Sequence, residues 1–203
     1  VDVLAIKHGS HPHTNPGLFY NPATYQELFS TLQEEIDRSN ETFIEHYVTK
    51  YTNPALPPIW AVCEIMSFGQ ISQWFSNLKL IQDRKDIASA YSLHESVLRS
   101  FMRHLSHVRN LIAHHCRLWN RKFVVTMTIP NYPTSLATTM NVGEIRRIYN
   151  TLAMLAYLMR VISPGTSWPV RLRRLLEEYP AVDPYAMGFP ANWRDLPVWA
   201  VKP

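Results

Sequence analysis

The stretch HVRNLIAHHCRLWNRKF, residues 107–123, gathers three His, three Arg and two Asn among Leu, Ile and Trp. Imidazole transfers protons near neutral pH, and guanidinium grips phosphate or carboxylate through paired hydrogen bonds. Such groups side by side can hold a phosphodiester and move protons around it. On a helix of about 100° per residue, Arg103, His107, Asn110, His114, Arg117 and Arg121 fall within about 80° of one another. Leu98, Phe101, Leu105, Val108, Ile112, Cys116 and Trp119 gather opposite them as a core stripe. The polar ridge holds no Lys, Asp or Glu, so its members repel one another unless an anion lies nearby. A phosphate or nucleic-acid partner meets that need. An acidic protein surface, or pairing of His and Arg inside a bundle, meets it equally. Arg109 sits about 140° from His114 on an ideal helix. Joint action therefore requires a long reach, a distorted helix, or the Arg of one chain meeting the His of another.

The elements around this stretch read as helices. The motif helix is expected from about Leu93 to about Asn120, opened by a capping box of Ser92 with Glu95 three residues on. Upstream, Asn21 as N-cap and Pro22 at the first helical position open a long helix, with a break near Ser39. PIWAVCEIMSFGQISQWFSNL reads as two short helices hinged around Ser67–Gly69, and QDRKDIASAY as a third, with Asp83 as its cap. Downstream, FVVTMTIP alternates weakly and suggests one extended segment. Asn141 with Glu144 repeats the capping-box pattern and opens a helix stopped at Ser163–Pro164–Gly165. A last helix covers about Trp168–Tyr179. Residues 1–20, broken by Gly9, Pro12 and Pro16, read as loop. The expectation is an all-α chain: a loop or remnant over 1–20, a helical domain over 21–179, and an irregular Pro/Trp-rich tail over 180–203 packed on the bundle.

Composition narrows the partners. The hydrophobic fraction is 46% and the aromatic fraction 12%, as in a chain that folds. A net charge of +4 and a pI near 9.1 admit a polyanion without requiring one. The 142–162 segment is long enough to span a membrane, but Arg146, Arg147, Asn150 and Arg160 argue against it. Cys63 and Cys116 lie in apolar helical context and read as free thiols of a reducing compartment, with a disulfide as the other reading. His8, His11 and His13 form a cluster without carboxylates, so no physiological metal is expected. Trp60 and Trp74 read as core residues or as rings for base stacking, and Trp119 as core. The chain opens on Val1, without a secretory leader pattern, and is expected to be a piece of a longer cytoplasmic protein.

The order Arg109, Asn110, then His114 is similar to the Arg–polar–x–x–x–His signature of the HEPN superfamily. VRNLIAHHCRLWNRKF, preceded by LPPIWAVCEIMSFGQIS and closed by GFPANWRDLPVW, resembles the Abi-like family of abortive-infection proteins, of the AbiD and AbiF type. Most of residues 20–200 carry the likeness. Relatives have further helices upstream, so the sequence is expected to be a fragment of such a protein. The resemblance implies a HEPN-like helical bundle that homodimerises, placing two motifs in one cleft, and a metal-independent, cofactor-free endoribonuclease in phage defence. The RNA's own 2′-OH would attack the adjacent phosphorus. His114 would act as general base or acid, Arg109 would hold the phosphate, and Asn110 would orient the imidazole or bond a non-bridging oxygen. Arg103, His107, Arg117 and Arg121 would bind RNA backbone or, as exposed cations, be solvated or paired; Glu64 would pair with a motif Arg, and His115, about 100° from His114 on the wheel, reads as packing at the core edge. An antitoxin or regulatory RNA is a further expected partner. The alternative is a module of the same fold that binds RNA or a partner without cutting; the third reading is a helical interaction protein for an acidic surface.

Overall fold

A computed structural model describes residues 1–200. They form ten α-helices and four short 3₁₀ turns; among the described residues there is no strand, only an isolated antiparallel bridge between Phe19 and Leu78. The expected all-α class is what the chain adopts. Its contacts separate into two compact units, Val1–Ile87 and the residues from Ala88 onward.

The first unit holds α1 (Asp2–His8), α2 (Pro22–Arg38), α3 (Thr42–Lys50), α4 (Ile59–Ile65), α5 (Phe68–Asn77) and most of α6 (Ile81–Ser89). Asn21 caps α2 as expected, its side chain accepting from Thr24 N at 3.1 Å, with Pro22 in the first turn. The break at Ser39 is real: α2 ends there and α3 begins at Thr42. Ser67 and Gln70 close a reciprocal capping box at the α4–α5 hinge. Leu28, Leu32 and Ile36 recur at helical spacing on α2 and are buried. α2 packs on α4 and α5. Asn77 ties the end of α5 to the start of α2: its Oδ1 accepts from Asn21 N at 2.8 Å and its Nδ2 donates to Asn21 O at 3.1 Å.

Two expectations for this unit are corrected. Residues 1–20 are largely helical: Gly9, at φ 81°, ends α1, and Pro12 and Pro16 each start a 3₁₀ turn. The breakers separate short helices and do not mark a loop. Asp83 is not a cap. It is buried inside α6, where Lys7 Nζ approaches one carboxylate oxygen at 3.1 Å and His8 Nε2 the other at 2.8 Å. A buried carboxylate needs such partners, and α1 supplies them.

The second unit holds α7 (Glu95–Ala113), α8 (Thr134–Ala137), α9 (Tyr149–Ile162) and α10 (Trp168–Glu178). α9 begins later than expected. The Asn141 side chain closes a local turn on Gly143 N at 3.0 Å and donates to Gly188 O at 2.9 Å, so it caps no helix. α9 does stop at Ser163, and no described helix is long and apolar enough to cross a membrane.

FVVTMTIP forms no strand. Instead His104, buried on α7, holds it: one ring nitrogen lies 2.7 Å from Val125 O and the other 2.6 Å from the Thr151 hydroxyl on α9. Burial lowers the His104 pKa, so the ring is neutral and can donate on one side and accept on the other. The described part of the tail packs on α9. Phe189, Trp193 and Trp199 are buried in edge-on contacts, and the Trp199 indole donates to the Tyr149 hydroxyl at 3.2 Å. Burial pushes the Tyr149 phenol up to about 12.

Candidate functional site

The motif helix is shorter than its sequence suggests at both ends. At its start, Ser92 belongs to the preceding helix. Ser92 takes φ 50°, its N–H bonds Ser89 O at 2.9 Å, and Leu93 N bonds Ala88 O at 3.1 Å. That pair of bonds is a Schellman closure of α6, with buried Leu93 as its apolar anchor. The N-cap of α7 is then His94, whose Nδ1 accepts from Ser96 N at 3.3 Å; Glu95 is buried in the first turn.

The other end is the more consequential. His115 N bonds Ile112 O at 2.9 Å, Cys116 N bonds Leu111 O at 2.8 Å, and His115 takes φ 54°. This is a second Schellman closure, made without glycine. α7 therefore stops at Ala113, and His114 is its capping residue, its N–H bonded to Asn110 O at 3.0 Å. The expected ridge is helical only through Asn110; Arg117 and Arg121 ride the chain that follows. The core stripe is cut too. Leu98, Phe101 and Val108 are buried, whereas Ile112 is 55% exposed and Trp119 37% exposed.

Arg109, Asn110 and His114 are all exposed. Arg109 Nη1 donates to Asn110 Oδ1 at 3.3 Å, and the Asn110 carbonyl holds the His114 backbone. Among the described residues no hydrogen bond joins either side chain to the His114 ring. The Asn110 amide nitrogen remains able to reach an oxygen of a ligand. Around them, Arg103 is exposed and His107 half-buried, its ring edge-on to Phe123 with centroids 6.4 Å apart. Arg117 is exposed with its guanidinium 6.0 Å from the Trp119 ring, and Arg121 is half-buried. His115 is exposed and closes the helix through its backbone, contrary to the expected packing at the core edge. Glu64 is exposed on α4, in the first unit.

Two residues that the sequence suggested only as obstacles to a membrane span turn out to position this region. Arg146 Nε donates to Phe123 O at 2.9 Å while Phe123 N donates back to Arg146 O at 2.8 Å. Arg147 Nη1 donates to Asn120 Oδ1 at 2.6 Å and pairs with Glu144 at 3.6 Å. The loop from His114 to Phe123 is thus pinned at its far end by the approach to α9. Nothing in local spacing announces this, since the partners are 23 and 27 residues apart.

Of the other histidine cluster, His8 bonds Asp83, while His11 and His13 stay together with ring centroids 5.9 Å apart; His11 lies 2.8 Å from Ser10 Oγ and 3.3 Å from the Tyr47 hydroxyl, and His13 is buried. Among the described residues no group of three or more His, Cys, Asp or Glu is placed to hold a metal ion. Cys63 and Cys116 are free thiols, and burial raises the pKa of Cys63. Trp60 is 52% exposed and Trp74 is buried.

No curated protein and no solved structure matches this chain. A family model described as Abi-like protein matches residues 1–120, more than half of the sequence and a stretch that includes Arg109, Asn110 and His114. The chain belongs to the Abi-like protein family.

Proposed function

We propose that this chain is a metal-independent endoribonuclease of an abortive-infection defence system, with Arg109, Asn110 and His114 as its reacting groups. The observation that carries this reading is the exposed Arg109–Asn110 contact one turn before an exposed His114, at the end of a helix whose following loop adds Arg117 and Arg121. Arg109 binds the phosphate and offsets the charge that develops on it. An imidazole takes the proton from the 2′-OH as its oxygen bonds to phosphorus. A second imidazole returns a proton to the departing 5′-oxygen as the phosphorus–oxygen bond breaks. One chain offers one His114 in this motif, so the reaction is assigned to a homodimer in which each copy supplies one. The Asn110 side chain meets the Arg109 guanidinium and its carbonyl holds the backbone of His114, which leaves its amide nitrogen to orient the imidazole or bond a non-bridging oxygen.

Incubation of the chain with single-stranded RNA in EDTA tests this. Cutting that survives chelation and falls at least about 100-fold in His114→Ala is expected for a lost acid–base group. Salt-sensitive RNA binding with no cutting by either protein would select the non-catalytic module and overturn the enzyme.

A further inference from the structure

The second unit contains a groove of about 330 Å³ whose walls are almost wholly apolar. Leu118 and Trp119 form one side, and Leu172, Leu175 and Tyr179 of α10 contribute another. Trp119 and Tyr179 leave 37% and 53% of their surfaces open to solvent. Large rings in an open apolar groove are costly in water unless a ligand covers them. We infer that this groove is a stacking site for one unpaired nucleobase of the RNA, adjacent to the phosphodiester held at Arg109 and His114. The inference rests on the proposed RNA reading.

Three observations favour a base over an apolar protein segment. First, one loop serves both places: Trp119 follows His114 by five residues in a segment whose far end is pinned by Arg146 and Arg147. Second, cations border it. The Arg117 guanidinium lies 6.0 Å from the Trp119 ring. On α10, helical spacing puts Arg171 and Glu178 on one flank of the Leu172–Leu175–Leu176–Tyr179 face and Arg173 on the other. Glu177, further along, is drawn to Arg194 at 3.9 Å. Cations around a flat apolar floor suit a polyanion carrying aromatic rings. Third, the volume lies at the low end of the range of small-ligand pockets, about 300–1,000 Å³, too little for the several anchors an amphipathic helix inserts. With so little polar surface, the groove grips the π-face and does not read base edges. It therefore selects unpaired RNA with little preference among bases.

The test uses a short, fluorescein-labelled 2′-O-methyl oligonucleotide, which cannot be cut, followed by fluorescence anisotropy. An otherwise identical strand lacks one base, moved through each position in turn. Wild-type protein should bind about tenfold more weakly when one particular base is missing, the scale of a single stacking contact. Trp119→Ala should lose the same factor on the intact strand and be indifferent to the missing base, and Trp119→Phe should recover most of it. Equal binding of intact and abasic strands by wild type overturns the stacking site and leaves the RNA reading standing. No binding of any strand by wild type overturns both. If Trp119→Ala keeps full RNA affinity but lowers the sedimenting mass, a second copy covers the groove and the stacking site is refuted.

Discussion

At the scale of single residues, the two adjacent histidines of the motif divide their labour by backbone geometry. His114 keeps a negative φ of −91° and presents an exposed ring, while His115 takes φ 54° to close the helix. Left-handed backbone suits glycine and is strained for most other residues, though His tolerates it better than β-branched side chains do. His115→Gly should therefore leave the thermal midpoint unchanged or raise it and should spare RNA cleavage. His115→Val should cost about 1–2 kcal/mol. A thermal melt and a cleavage assay on the pair check this; loss of cutting in His115→Gly with an intact melt would give the His115 ring a part in the chemistry. The exposure of Asn110 and His114 is what a polar ridge predicts, while Arg109, off that ridge on an ideal wheel, is exposed as well. The fate of Ile112 and Trp119 was not legible in the sequence, because a helical wheel assumes a helix that continues, and this one stops at Ala113.

At the scale of elements, the helices were legible and several of their ends were not. Asn21 and Pro22 have a single helix to serve and mark α2 correctly. Ser92 and Asn141 look like caps of the next helix, but each is used elsewhere: Ser92 closes the helix behind it, and Asn141 reaches Gly188, 47 residues away. Local spacing cannot say which of two neighbouring elements a capping residue serves. Gly188 itself shows how tightly the tail fits. It takes φ 86°, and a Cβ there would lie 2.7 Å from the Arg147 Cβ. Arg147 also holds Asn120, so disturbance at Gly188 reaches the motif loop. Gly188→Ala should lower stability by about 2–3 kcal/mol through backbone strain and crowding together. Denaturant unfolding measures the loss, and a change under about 0.5 kcal/mol, the range of neutral surface substitutions, would show that the tail can shift at no cost.

Across the whole molecule, the chain combines a net charge of +4 with nine histidines, and two of those are buried and held neutral. His13 is 3% exposed, and burial, then the nearby charge of His11, lowers its pKa from 6.5 to about 4. His104 is lowered in the same direction by burial. Between pH 6.5 and 4 the unfolded chain binds a proton that folded His13 refuses, so stability falls as the pH falls through that window. The loss from His13 is on the order of 3 kcal/mol by pH 4. Thermal melts across this range should show the midpoint dropping, and His13→Leu should flatten the drop, since it removes the buried group whose protonation folding opposes. An undiminished slope in His13→Leu would assign the acid sensitivity to other groups. The closure of α7 at Ala113 has a consequence of its own. Because the chain turns away there, the guanidinium and imidazole stand at a bare helix tip bathed by bulk water, which weakens every charge interaction they make. On the ribonuclease reading proposed above, a solitary copy would be a feeble catalyst, and dilution that separates two copies would silence cutting.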